Sequence, residues 1–354
     1  MNTNAYSIFI FPFFLLLLPA CRHKGECVPP RAAFYHWQTR LRLAPSQRQL
    51  MDSINAKKLY VKFFDIDLDK NGQPAPRAVV QLDTHLLQNI TIVPTVFITN
   101  RTFKKNSKKN IEILAENIFF KIKQIMAGAY PPLEIQFDCD WTASTRDPYF
   151  YFLQYAATLS EAPVLSTTIR LHQYKYPGQT GVPPVDRGML MFYNMGEVDE
   201  WETGNSILDT TIAKKYLSPE QPYPLPLDVA LPLFRWGAVF RNGRLAYLIN
   251  DLGEEQLTDT ARFVAMAPHR YGVGKSTYLN GYYLYAGDRI RLEGISPGLL
   301  QKAAALLGPV VKKTAKPHSL TVSFYHLGTA ARREMKPMDF RKVMKKFCLN
   351  HGDF

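Results

Sequence analysis

The sequence predicts an α/β fold, a single (β/α)8 TIM barrel with a β-rich insertion after the seventh strand. Three observations predict it. From residue 33 to residue 234, apolar runs of strand length alternate with stretches of helical periodicity. Such alternation builds parallel βαβ units, and eight units within roughly 300 residues favour a closed barrel over an open sheet. Second, Leu133-Glu134-Ile135-Gln136-Phe137-Asp138-Cys139-Asp140-Trp141 alternates strictly. Glu134, Gln136, Asp138 and Asp140 share one face of this segment, and Ile135, Phe137, Cys139 and Trp141 share the other. An apolar back and a polar front suit a barrel strand, which faces covering helices on one side and the interior on the other. Third, the regular order breaks after residue 234, where Arg241-Asn242-Gly243-Arg244 separates two apolar runs. Asn-Gly at that position signals a hairpin.

The elements follow in order. Residues 33–37 read as the first strand and 46–54 as a helix capped by Ser46. Residues 59–64 and 90–99 are the second and third strands. Residues 109–126 form a long helix, because Ile111, Leu114, Ile118, Ile122 and Ile125 recur near helical spacing. The fourth strand is 133–141 and the helix after it 147–159. Strands five, six and seven are 164–171, 188–193 and 228–234. In the insertion, 239–249, 278–284 and 288–292 read as β segments. Residues 297–307 return to helix, 320–327 supply the eighth strand, and 337–347 close the chain as a basic amphipathic helix.

The N-terminus reads as an address. Residues 8–18 are apolar apart from Pro12, the length of a signal-peptide core and too short to span a bilayer. The core ends in Leu18-Pro19-Ala20-Cys21, which resembles a bacterial lipobox, although Pro19 is unusual there and residues 1–7 lack the basic n-region. The expected organisation is a signal peptide over 1–20, a linker over 21–30 behind a lipidated Cys21, and a barrel domain over 31–354 with its insertion at about 237–295. The product is an exported lipoprotein held to the cell membrane or outer membrane by acyl chains. A plain secretory signal or an uncleaved anchor is the alternative.

Cys27, Cys139 and Cys348 remain. Their spacing suggests neither zinc nor a redox pair, and a Cys27–Cys348 bridge would join the two ends. The net charge of +13 gathers partly in 104–109 and 332–346. An export address argues against nucleic acid as a partner. These clusters read as solvated faces, with contact to anionic glycans or a membrane as the functional alternative.

The strand Ile135-Gln136-Phe137-Asp138-Cys139-Asp140-Trp141 resembles the fourth barrel strand of chitinase-like glycoside hydrolases. That family carries Asp-x-x-Asp-x-Asp-x-Glu there, with the final Glu as the proton donor. Asp138 and Asp140 match its second and third acids, while Ile135 and Thr142 stand where the first Asp and the Glu would be. Phe34-Tyr35-His36-Trp37, Phe63-Phe64-Asp65-Ile66-Asp67 and Ala230-Leu231-Pro232-Leu233-Phe234 add to a resemblance to bacterial lipoproteins with a glycosidase-like barrel and no assigned activity. The resemblance implies a glycoside hydrolase-like protein acting on a cell-envelope or environmental glycan. A glycan-binding protein on a degenerate barrel is the alternative, and Thr142 favours it.

Asp138 and Asp140 are the candidate catalytic residues, since glycoside cleavage needs one acid to protonate the leaving oxygen and a second to stabilise or attack the anomeric carbon. Two carboxyls this close should push one of them above its ordinary pKa. A third acid from another strand would strengthen the site, and Asp65, Asp67, Glu197 and Asp199 each follow or end a predicted strand. The remaining candidates for holding sugar are His36, Trp37, Asp65, Gln136, Tyr193, Arg235, Trp236 and His326, which sit on or beside strand ends. The aromatic members offer flat faces to sugar C–H groups, or else simply fill barrel layers.

No cofactor is expected. Asp67-x-Asp69-x-Asn71-Gly72 copies half of a calcium loop, but Ala78 replaces the closing Glu, so it reads as a turn. Gly274-Lys275-Ser276 lacks the earlier glycine of a phosphate loop, with His269 in its place. His36, His172 and His326 at three strand ends carry no metal-ligand spacing.

Overall fold

A computed structural model describes residues 28–82, 89–104, 106–127, 131–217, 222–314, 320–328 and 335–349. Eight parallel strands form the barrel: β1 Arg31–His36, β2 Lys58–Leu68, β3 Thr91–Ile98, β4 Glu134–Asp138, β5 Val164–Ile169, β6 Arg187–Met191, β7 Leu227–Pro232 and β8 Thr321–Tyr325. Each pairs with the next, and β1 pairs with both β2 and β8, so the sheet closes. The helices outside it are α1 Pro45–Ser53, α2 Lys108–Ile125, α3 Arg146–Leu159, α4 Leu171–Lys175, α5 Pro177–Thr180, α6 Thr210–Tyr216, α7 Pro297–Lys312 and α8 Pro337–Lys345.

The alternation in β4 sets the layers. Its apolar side meets the helices: Phe137 lies 6.3 Å from Phe119 of α2 and 4.9 Å from Phe152 of α3, and Trp141 stacks on Tyr149 at 5.4 Å. Burying each of these side chains stabilises the fold by about 1.5–3 kcal/mol. The stripe on α2 lies over the same layer, with Ile111, Leu114, Ile118 and Ile122 buried and Ser107 accepting from the Asn110 N–H at the helix start.

The polar side of β4 points inward and is hydrogen-bonded at each level. Glu134 accepts from Lys58 Nζ at 2.6 Å and Ser166 Oγ at 2.6 Å. Gln136 accepts from Tyr35 OH at 2.6 Å and donates to Ser166 at 3.3 Å. At the base, Arg187 pairs with buried Asp228 at 3.0 Å. Such groups are tolerated in a barrel interior because each has a partner.

Between β7 and β8 the chain builds a five-stranded antiparallel sheet. Its order is Arg244–Asn250, Trp236–Arg241, Arg289–Glu293, Arg270–Val273, Phe263–Ala267, and a small hairpin of Thr277–Leu279 and Tyr282–Leu284 lies beside it. Asn242 and Gly243 turn the first hairpin with φ of 51° and 77°, the left-handed values that an Asn-Gly turn supplies. This sheet has its own core, including Val239, Ile249, Phe263, Val273 and Ile290. It is fixed to the barrel by Arg291. That side chain is 1 % exposed, pairs with Glu293 at 2.5 Å and donates to the carbonyls of Val198 and Glu200.

Two sequence expectations shift here. The fifth strand ends at Ile169, two residues early, so Arg170 opens α4 and His172 is helical and exposed. The second strand runs on to Leu68 and folds back through an antiparallel strand, Pro74–Arg77. In that turn Asp69 accepts from the N–H groups of Asn71 and Gln73, while Asp67 is held by Arg101 and Thr99, so both carboxylates are used locally. Val28 and Leu349, the first and last described residues, form an antiparallel bridge. Cys348 is disulfide-bonded, with its partner outside the described residues, and Cys139 is free and buried. The expected signal peptide, Cys21 and Cys27 also lie outside the described residues.

Candidate active site at the barrel mouth

The C-terminal ends of the strands surround a cavity of about 730 Å³. Eight residues singled out in the sequence line it: Trp37, Asp65, Asp138, Asp140, Tyr193, Arg235, Trp236 and His326. They come from β1, β2, β4, β6, β7 and β8 or the residues just after them, so only the closed barrel brings them together.

Asp138 forms part of the cavity floor. It is 4 % exposed, accepts from Thr168 Oγ1 at 2.6 Å and lies 3.5 Å from Arg170. Burial pushes its carboxyl above the ordinary carboxylate pKa. Arg170 opposes the rise, and the negative charges of Asp140 and Asp65 add to it. Asp140 is more exposed and is bound by the Arg170 Nε–H. Arg170 therefore bridges the two acids, and Tyr193 packs beside it, its own hydroxyl pKa raised first by burial.

Asp65 is the third acid. It reaches the mouth from β2, pairs with Lys62 at 3.0 Å through Oδ2, and leaves Oδ1 buried with no partner. Trp236 Nε1 is likewise buried without an acceptor. Unpaired buried polar atoms are rare and costly, and here both belong to residues that line the same cavity.

Aromatic rings form the remaining wall. Tyr325, at the end of β8, stacks on Tyr193 at 5.2 Å and lies 5.5 Å from Trp37 and 6.0 Å from Phe234, which in turn meets Trp236 at 5.2 Å. Lys62 lies over Trp37. His326 is half-buried; its partial burial lowers its pKa, and Asp251 opposes that shift.

Two sequence candidates fall outside this cavity. Gln136 is fully buried one level below, tied to Tyr35 and Ser166, so the barrel interior uses its amide. His36 points away from the lining, and its Nε2 donates to the Arg40 carbonyl at 3.1 Å. Arg235 does line the cavity, but its guanidinium is committed to Asp251 at 3.4 Å and Glu255 at 2.5 Å, which ties the insertion to the mouth. Asp67, Glu197 and Asp199 are not among the lining residues.

The sequence reading of the site missed Arg170, Lys62, Asn194, Phe234 and Asp251. Arg170 had one available signal, its place on the polar face of strand five. Asp251 had none, since the insertion brings it back from outside the βαβ pattern.

No family model matches the chain, and no curated protein matches it. Solved structures do. The spore cortex-lytic enzyme SleL of Bacillus cereus superposes with a TM-score of 0.50 at 16% identity, covering 92% of this chain and 76% of that one. A chitinase from Chromobacterium violaceum gives 0.50 at 12% identity, covering 90% and 98%. A chitinase from Bacteroides thetaiotaomicron gives 0.50 at 11% identity, covering 90% and 96%. At these identities the similarity is one of fold: the chain has the (β/α)8 barrel that these structures share.

Proposed function

We propose that the mouth cavity takes a carbohydrate chain and hydrolyses a glycosidic bond in it. The observation that carries this reading is the convergence of Asp65 from β2 on the cavity that Asp138 floors, with Asp65 Oδ1 buried and unpartnered. Asp138, its pKa raised by burial, is suited to stay protonated and donate to the glycosidic oxygen. The Asp65 carboxylate, held by Lys62, would stabilise the developing positive charge on the anomeric carbon or accept a proton from the attacking water. Water supplies the hydroxyl of one product and the proton that restores Asp138. The rings of Trp37, Tyr325 and Trp236 suit the C–H faces of sugars. The chitinase-like fold supports the substrate class.

Export and acylation at Cys21 are part of the same proposal. A disulfide at Cys348 supports an oxidising compartment, since disulfides persist outside the cytosol. The glycan would then belong to the cell envelope or the surroundings.

Binding without cleavage is a second reading with its own support. Thr142, where a chitinase-like strand carries its donor Glu, is exposed and hydrogen-bonded to Ser144 at 3.0 Å. Arg170 ties both Asp138 and Asp140. A panel of oligosaccharides assayed for new reducing ends separates the two. The hydrolase reading expects wild-type cleavage of at least one member, and loss of that cleavage with retained binding in Asp138→Asn. If wild type binds a member of the panel but cleaves none, the binding reading replaces it.

A further inference from the structure

We infer that the base of the barrel, opposite the mouth, is a docking surface for an anionic phospholipid membrane. The strands begin around a second cavity of about 720 Å³. Six cationic side chains line it, Arg31, Lys57, Lys58, Arg187, Arg341 and Lys345, against one acid, Glu134. Glu134 is already paired with Lys58 at 2.6 Å, and Arg187 with Asp228 at 3.0 Å. The other four cations are exposed and form no ion pair with the described residues. Leu133, 62 % exposed, adds an apolar point on the same rim. Exposed cations around an apolar rim complement phosphate headgroups.

Connectivity favours a membrane as the occupant. The chain enters β1 from this face through Val28-Pro29-Pro30, and 27 residues precede Val28. From Cys21 to Val28 an extended chain spans at most about 25 Å. An acyl chain on Cys21, which rests on the reading above, would hold the base within that distance of the bilayer. β1 runs away from the base towards Trp37, so a docked base turns the mouth outward.

The test uses the full-length protein, purified from membranes and reconstituted into vesicles of phosphatidylcholine alone or with phosphatidylglycerol added. Lysine acetylation is then read by mass spectrometry. Labelling of Lys57 and Lys345 should fall several-fold with phosphatidylglycerol, while exposed Lys275 on the insertion stays unchanged. High salt should remove the protection, and so should Arg31→Glu/Arg341→Glu, both exposed positions whose effect on folding a melt would check. Inorganic phosphate with phosphatidylcholine vesicles should not protect. Equal labelling in the two vesicle types, or protection by inorganic phosphate alone, would overturn the surface. If mass spectrometry finds Cys21 without an acyl chain while phosphatidylglycerol still protects, the tether is wrong and the docking surface stands.

Discussion

At the scale of single residues, the proposed chemistry rests on Asp138. Its carboxyl is raised first by burial, so the folded protein holds its proton more tightly than the unfolded chain does. The contribution of this group to stability is complete below the unfolded pKa of about 4 and is lost as pH rises through the raised folded pKa. Asp138→Asn does not titrate. The stability of wild type relative to Asp138→Asn, from melts at a series of pH values, should therefore fall as pH rises above the ordinary carboxylate range. A difference that stays flat or grows with pH would remove the raised carboxyl from the account. The sequence showed that two acids shared a face, and repulsion between them was the expected cause of a shift. The larger cause is burial, and Arg170 sits between the acids. That arrangement was illegible because β5 stops at Ile169, where a helix turn redirects the guanidinium into the mouth. Gln136 misled for a related reason. Alternation tells which face a residue is on but not how deep it lies, and at its level Tyr35 and Ser166 consume its amide.

At the scale of elements, a buried pair helps to hold the insertion to the barrel. Arg291 and Glu293 are 1 % and 0 % exposed at their side chains, and Glu293 also accepts from the Ser206 N–H at 2.6 Å. Removing one partner strands a buried charge, which costs about 3–5 kcal/mol. Arg291→Ala should lower unfolding stability by that order in denaturant titration. Hydrogen exchange should rise first in the strands Trp236–Arg241 and Arg289–Glu293. An unchanged midpoint would mean that the apolar cores alone fix the sheet. The Asn242-Gly243 hairpin was legible because few other dipeptides supply two left-handed residues in a row. The strands Phe263–Ala267 and Arg270–Val273 were not, because their outward positions are open and their pattern carries no clean alternation.

At the scale of the whole molecule, the barrel separates two faces of different chemistry: an aromatic, acid-bearing mouth and a cationic base. Closure was legible from the count and spacing of strands, since eight apolar runs alternating with helices leave little else to build. The composition of the mouth was legible only in part. Strand ends were visible, but Asp251 and the ties of Arg235 to it depend on how the insertion folds back over the barrel. The central claim is that a glycan is processed at this mouth through Asp138. A crystal structure of Asp138→Asn with an oligosaccharide that wild type cleaves tests it most directly. The account predicts the chain in the cavity between Trp37 and Trp236, with a glycosidic oxygen about 3 Å from the side chain of residue 138. A chain seated elsewhere, on the insertion or at the base, with the mouth untouched, would contradict it.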